Sequence, residues 1–340
     1  METTNNQPEI KTLVDAVRYF SDLNVAHDFF VRMRWPNGPI CPRCGSGDVA
    51  YLAKYRRFQC SSRHDARQFT VKTGTVMEDS PMGLDKWGVA IWLEINAENS
   101  ISSYGLHRAL GITQKSAWFM LHRIRFALHN GFDAKMTGIV EADETYIGGN
   151  ARNMHKSRRE PDITGTGGAG KTAVMGLLER HTKTCKKDKK CSKVRTVVLG
   201  NTKKKTIQPL VEEHVETGSH VYTDSLKSCQ GLEPEFYHAF VDHAEQYVDG
   251  NVHTNGLENF WSLFKRCIKG THVSVEPFHL FRYLDSECWR FSNRTLNDGE
   301  RFLLAMRGIN DKRLTYKALT GALEGAPASG SEEGSENLPN

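Results

Sequence analysis

The chain has 340 residues, 39% of them hydrophobic and 25% charged, with 45 lysines and arginines against 40 acids and a net charge of +5. That length suffices for two or three domains with cores of their own, and eight cysteines in such a chain do not make a disulfide miniprotein. No run of eighteen apolar residues occurs, and the opening Met1 to Asn6 has neither the basic nor the apolar part of a signal peptide, so a soluble intracellular protein without membrane contact is expected. In that compartment the cysteines should stay reduced, and closely spaced ones are expected to be metal ligands. Basic clusters near 54 to 67, 107 to 125, 156 to 159 and 183 to 195 point to nucleic acid as a partner.

Residues 9 to 34 read as one or two helices, because Leu13, Val17, Phe20, Leu23, Phe29 and Met33 recur near helical spacing before Pro36 and Pro39 end them. Cys41-Pro-Arg-Cys44-Gly follows as a knuckle-like turn, then a strand-like aromatic and basic run from Tyr51 to Phe58. Beyond Cys60 the nearest available ligand is His64. Cys41, Cys44, Cys60 and His64 make a Cys3His set that tetrahedral zinc accepts; the alternative is a degenerate ribbon without metal. Residues 84 to 98 carry Leu84, Trp87, Ile91 and Ile95 on one helical face. Next, 100 to 111 and 113 to 125 read as a helix-turn-helix, with Gly111 making the turn, Thr113 capping the second helix, and Ala117, Met120, Leu121 and Ile124 buried. This leaves Gln114, Lys115, His122 and Arg123 for DNA, those near the helix start being better placed for base edges. A plain helical hairpin is the other reading.

From Thr137 the pattern changes to strands at 138 to 147, 173 to 178 and 194 to 199, a helix from Ile207 to Val215, and short strands at 220 to 224 and 239 to 241. Three strands followed by strands alternating with helices predict an α/β domain, a mixed sheet flanked by helices. Residues 276 to 308 look helical, with Phe278, Phe281, Leu284 and Trp289 toward a core, and the last twenty or so residues read as a disordered tail. The segment 183 to 193 reads as a basic insertion, with Cys185 and Cys191 six apart: a solvated hairpin tip, a DNA-contacting finger or a metal loop. Gly165 to Thr172 matches the phosphate-loop pattern, but the strand-like 173 to 178 follows where a phosphate loop would open a helix. A flexible loop, with Lys171 within reach of DNA phosphate, is the expectation.

Two aspartates lie where strand interiors disfavour them, Asp143 among Val140, Ala142 and Tyr146, and Asp224 at the end of an apolar strand. The segment 251 to 266 reads as a helix with Leu257, Trp261 and Phe264 on an apolar stripe, beside Asn255 and Glu258 three residues apart and Lys265 two turns on. Both aspartates can emerge near one region of the sheet and hold divalent metal with the start of that helix, an arrangement suited to two-ion phosphoryl transfer. Otherwise both cap turns.

These motifs, with Thr73 to Ser80, Val140 to Gly149 and His253 to Ser262, resemble those of the ISXO-like insertion-sequence transposases, relatives of the Merlin elements, over about residues 10 to 308 and in the expected order. The resemblance implies a zinc ribbon, a helix-turn-helix and a ribonuclease-H-like catalytic domain that cuts and joins double-stranded DNA, at terminal inverted repeats and at the target, with magnesium or manganese. It divides the chain into an N-terminal helical segment (1 to 35), the ribbon (36 to 78), a helical DNA-binding domain (79 to 132), the catalytic domain (133 to 310) and a tail (311 to 340). By position it implies Asp143, Asp224 and Asn255 as metal ligands with Glu258 close by, Lys265 as the lysine of the site, and Arg266 beside it on DNA. Joining two DNA ends implies at least a dimer, in the cytoplasm on the nucleoid if the source is bacterial. The alternative is a DNA-binding protein without chemistry, a regulator or a decayed copy. The chain departs from many relatives in having Cys60-Ser-Ser-Arg-His64 where they carry a second Cys-x-x-Cys pair.

Overall fold

The structure, a computed structural model, describes residues 10–129, 134–148, 170–180, 191–224, 231–232, 235–241 and 252–321. In chain order the elements are α1 (Leu13–Phe20), α2 (Leu23–Arg34), β1 (Val49–Leu52), β2 (Arg57–Cys60), β3 (Gln68–Phe69), α3 (Leu84–Asn96), α4 (Ser103–Leu110) and α5 (Gln114–Leu128). After these come β4 (Ile139–Ile147), β5 (Thr172–Glu179), β6 (Lys193–Leu199), α6 (Lys204–His214), β7 (His220–Asp224), β8 (Tyr237–Val241), α7 (Asn255–Cys267), α8 (Leu280–Ser292), α9 (Asp298–Arg307) and α10 (Tyr316–Leu319). The chain divides into two compact units, one of Met1–Gly131, Arg266–Val273 and Arg282–Leu314, the other of Phe132–Lys265, Ser274–Phe281 and Thr315–Asn340.

In the first unit the helix starts follow from local side-chain chemistry. Thr12 and Asp15 form a reciprocal capping box at α1, and Asp22 accepts the amides of Asn24 and Val25 at α2. Of the apolar residues at helical spacing, Phe20 and Phe29 are buried, whereas Leu13, Val17 and Leu23 are exposed. Phe20 meets Phe29 and Phe302 edge-on at 5.2 and 5.8 Å between ring centroids, a geometry that suits the aromatic quadrupole. Helix α3 approaches this cluster at Gly88, where a Cβ would stand 2.6 Å from the Phe20 ring. Helices α4 and α5 are joined through Gly111, which ends α4 in the left-handed region, and Thr113, whose side chain accepts the Ser116 amide. Most of α5 is buried, including Arg125, whose Nε donates to Glu94 Oε1 at 2.9 Å with both side chains almost fully enclosed. Ser100 and Ser286 donate their hydroxyls to the same carboxylate at 2.8 and 3.1 Å, so its lone pairs are satisfied. Leu284 and Trp289 of α8 are buried as their spacing predicts; Phe278 and Phe281, expected toward a core, are exposed.

The second unit is built on a five-stranded sheet of order β6-β5-β4-β7-β8, antiparallel from β6 to β4 and parallel from β4 to β8. Alternation along β4 and β5 divides the sheet into two faces. Val140, Ala142, Met175 and Leu177 cluster with Ile207 and Val211 of α6. Glu141, Asp143, Gly176 and Leu178 face α7 instead, which comes so close that a Cβ on Gly176 would lie 2.5 Å from the Trp261 ring. Leu314 and Leu319 are buried, so the chain is packed as far as Leu319, and residues 322–340 lie outside the described residues. The expected insertion at 183 to 193 lies mostly outside them too. Cys191, at its end, is disulfide-bonded, which departs from the expectation that every thiol is reduced.

Gly88→Ala should lower unfolding free energy by about 1–3 kcal/mol through overpacking against Phe20, whereas Gly47→Ala, which meets nothing within 4 Å, should be nearly neutral; chemical denaturation of both variants checks this.

Candidate metal centres

The ribbon sheet is a three-stranded antiparallel sheet of order β1-β2-β3, and it places Cys60 at the end of β2 opposite Val49. Cys41 and Cys44 sit on the preceding turn, where Gly45 takes φ +74° so that its amide can return to the Cys41 carbonyl. Cys41 Sγ is 3.5 Å from His64 Nε2, Cys44 Sγ is 3.6 Å from Cys60 Sγ, and all four ligand atoms lie within 4.8 Å of one another. Tetrahedral zinc with bonds of about 2.3 Å to sulfur separates two thiolates by about 3.8 Å, so the cage is close to the right size. His64 Nδ1 donates to the Asp65 carbonyl at 2.8 Å, which fixes the tautomer that presents Nε2 to a metal. Burial acts to raise the Cys41 thiol, but the amides of Arg43 and Cys44 outweigh it and hold the group below its ordinary value. A structural zinc is supported by this donor set.

A second group of ligands lies in the sheet. Strands β4 and β7 are parallel with Glu141 beside Tyr222, so two residues further along Asp143 stands beside Asp224. One oxygen each from Asp143, Glu144 and Asp224 lies within 4.8 Å of the others. Asp143 accepts a hydrogen bond from Trp261 Nε1 at 3.1 Å. Burial pushes its pKa up to about 6, the neighbouring negative charge of Asp224 pushes the same way, and Glu258 adds to it. Such a cluster fits a divalent cation, which would relieve the repulsion that raises Asp143.

The helix that supplies Trp261 is held by a third carboxylate. Glu141, almost fully buried, accepts the Leu257 amide at 2.9 Å, satisfying one of the orphan N–H groups in the first turn of α7. Its other oxygen takes Arg180 Nε at 2.5 Å, and the Arg180 amino group donates to the carbonyl of His253 and to its Nδ1 at 2.5 and 2.6 Å. Burial and the adjacent Arg180 lower the pKa of His253, so it is neutral at pH 7 and its 3.9 Å approach to Glu141 is no salt bridge. Gly256 is required here, because a Cβ would meet both Glu141 oxygens within 2.9 Å.

The sequence-predicted residues fall unevenly around these centres. Asp143 and Asp224 come together. Asn255 and Glu258 are exposed in the first turn of α7, Glu258 close enough for its charge to reach Asp143 but outside the 4.8 Å cluster, where Glu144 stands. Lys265 and Arg266 are exposed near the end of the same helix. Lys171 is half-buried and leads directly into β5, a strand where a phosphate loop would open a helix. Lys115 is exposed at the start of α5, while Gln114 donates its amide to Ser103 Oγ at 2.8 Å. The exposure expected for His122 and Arg123 is corrected: both are buried, because α5 is enclosed on more than one face. The Arg123 guanidinium lies over Phe119 and donates to the carbonyls of Leu314 and Glu78. Glu141, Glu144 and Arg180 were missed. Glu141 had a signal, since it sits two residues from Asp143 on the same strand face; Arg180, beyond the end of β5, had none.

Zinc analysis of the full chain should give one zinc per chain, lost in Cys44→Ser with a lowered unfolding midpoint. For metal-free protein, the raised Asp143 carboxyl means that the folded state binds its proton more tightly than the unfolded one. Stability therefore falls as pH rises from about 4 to about 6, by about 3 kcal/mol in all. Asp143→Asn should remove that slope; denaturation of both proteins at pH 4, 5, 6 and 7 checks it, and a difference independent of pH would refute it.

Residues 135–292 match the ISXO2-like transposase domain and residues 22–64 the transposase zinc-ribbon domain. An uncharacterized protein in the transposable element ISH50 of Halobacterium salinarum is 28% identical over 285 residues, 81% of this chain and 90% of that protein. An uncharacterized transposase-like protein of Haemophilus influenzae is 37% identical over 107 residues, 31% of this chain and 84% of the relative. No solved structure matches. Cys41, Cys44, Cys60 and His64 all lie within the matched zinc ribbon and Asp143, Glu144 and Asp224 within the matched transposase domain, and the chain belongs to the ISXO2-like transposase family.

Proposed function

We propose that this protein is a metal-dependent DNA transposase that binds the ends of its element, cleaves a strand there and transfers it to target DNA. The observation that carries the reading is the placement of Asp143 beside Asp224 on adjacent parallel strands, with the negative charges of Asp224 and Glu258 both acting on Asp143. The strand arrangement, three antiparallel and then two parallel with an aspartate on the central strand and on the next, supports a ribonuclease-H-like catalytic domain. Asp143, Asp224 and Glu144, with Asn255 and Glu258 at the start of α7, are the residues that would hold magnesium or manganese. Two such ions supply activation of an attacking oxygen and charge stabilisation at the leaving oxygen of an in-line phosphoryl transfer.

The residues of the chain do the positioning. With a pKa of about 6, Asp143 is mostly ionised at neutral pH, and the Trp261 N–H fixes one of its oxygens. The clamp of Glu141 and Arg180 on the first turn of α7 sets where Asn255 and Glu258 stand. Three carboxylates already crowd the cluster, so a neutral amide adds a ligand without adding repulsion, which favours Asn255 over Glu258 as the further direct ligand. In this reading Lys265 contacts substrate phosphate, Arg266 and Lys171 contact DNA, and Gln114 and Lys115 of the α4–α5 pair contact the element's ends. No helix among the described residues is long and apolar enough to cross a membrane. Handling two DNA ends calls for at least a dimer, acting on the nucleoid in a bacterial cell.

The test is magnesium-dependent cleavage of DNA carrying the terminal inverted repeats that flank the gene. Asp143→Asn should retain zinc and DNA binding but lose cleavage by more than the roughly 10- to 100-fold typical of second-shell metal partners. Asn255→Ala should lose more activity than Glu258→Gln; the opposite ranking makes Glu258 the direct ligand. If the unaltered chain binds the repeats yet never cleaves them, it is a DNA-binding protein without chemistry.

A further inference from the structure

The tip of the ribbon hairpin has a composition that neither the zinc cage nor the core explains. From Val49 to His64 the chain carries Lys54, Arg56, Arg57 and Arg63 and no acid. Lys54, Tyr55, Arg56 and Arg57 are all exposed at the turn between β1 and β2, Tyr55 to 63%. A tyrosine this exposed at the end of a hairpin buries no core surface, yet its ring is one face of a cation–π pair with Lys54 Nζ at 5.6 Å. Tyr51, 47% exposed, is backed by Phe58 at 5.0 Å and His27 at 5.4 Å between ring centroids, which hold its ring in place. The turn itself is fixed: Arg56 takes φ +47° and donates to Asn24 Oδ1 at 2.9 Å. Cations and aromatic faces are thus presented together on a braced support.

Cations alone would suit any polyanion. Exposed aromatic rings set among them suit an anion that carries flat apolar groups at intervals, and a DNA strand with unstacked bases is that ligand. We infer that the hairpin tip of the ribbon is a binding surface for unpaired DNA, with Lys54 and Arg57 on backbone phosphates and Tyr55 stacked on a base. In a protein that opens strands at an element's ends, this surface holds the strand that has left the duplex; in that respect the inference rests on the transposase reading. It differs from the α4–α5 pair, whose expected partner is intact duplex.

The experiment uses the full, zinc-loaded chain in buffer without magnesium, so that binding is read without cleavage. Fluorescence anisotropy follows a mixed-sequence single-stranded oligonucleotide and its duplex across a salt series. Tyr55→Ala should weaken single-strand binding about tenfold with the salt slope unchanged, and Tyr55→Phe should restore it. Lys54→Ala with Arg57→Ala should weaken binding and flatten the single-strand slope by about 1.4, one released counterion contribution of about 0.7 for each phosphate contact. Duplex binding should change less than single-strand binding in Tyr55→Ala. Retained zinc and an unchanged unfolding midpoint establish that the ribbon is intact in each variant. Unchanged single-strand affinity in both sets, equal losses on duplex and single strand, or a phenylalanine variant no better than alanine would each overturn the inference. A chain that cleaves repeat DNA with magnesium while its hairpin variants bind single strands as before refutes this surface alone; a chain that never cleaves refutes the transposase reading and leaves the binding result to stand by itself.

Discussion

The first turn of α7 is fixed to the five-stranded sheet by one buried carboxylate. Glu141 lies under the first turn of α7, with one oxygen on the Leu257 amide and the other on Arg180. A charge enclosed to this degree is tolerated only while its partners remain, and removal of one partner of such a pair typically costs about 3–5 kcal/mol. The helix can reach that carboxylate because Gly256 and Gly176 leave no side chain in the way. Close approach, in turn, brings the Trp261 indole to Asp143. The position of the first turn of α7 therefore depends on two missing methyl groups and one ion pair, none of which is itself an agent of chemistry.

The aspartate pair depends on a second constraint, the parallel pairing of β4 and β7. A one-residue slip in that register would send Asp224 to the opposite face of the sheet from Asp143. Val140, Ala142 and Val221 resist the slip, because each is buried and a shifted register would take them out of the apolar face they fill. Apolar packing on the α6 side thus fixes where two charges meet on the α7 side. This coupling explains how a sheet can keep carboxylates that repel one another: the energy that holds them comes from residues that do not touch them.

Much of this was legible in the sequence, and the reasons differ from place to place. The start of α5 was readable from Thr113, since capping is local chemistry. The Cys3His set was readable because zinc imposes spacing on its ligands, and the two aspartates because strand interiors disfavour them. Arg123 was misread for a reason that periodicity cannot reveal: a helix enclosed on several sides buries its polar face as well as its apolar one. The chain meets the cost of doing so with the Leu314 carbonyl, 191 residues away. Glu144 was missed because strict alternation assigns it to the face away from Asp143, and only the coordinates show its carboxylate within 4.8 Å of the aspartates. Phe278 and Phe281 were assigned to a core although the buried position between them is Leu280, and both are exposed.

The buried carboxylates of this protein also differ in a way that bears on which of them are functional. Glu94 has Arg125 at 2.9 Å, Glu141 has Arg180 at 2.5 Å, and Glu287 pairs with Arg290. In each case the fold supplies a guanidinium, whose planar donors match a carboxylate and which stays charged at any physiological pH. For Asp143 it supplies an indole N–H and, as the charged groups acting on it, Asp224 and Glu258. Among the described residues the enclosed glutamates are thus paired with arginine, whereas Asp143 feels the negative charges of Asp224 and Glu258. A small, oxygen-only ligand set of this kind suits a divalent ion, which would offset the negative charge that Asp224 and Glu258 bring to Asp143.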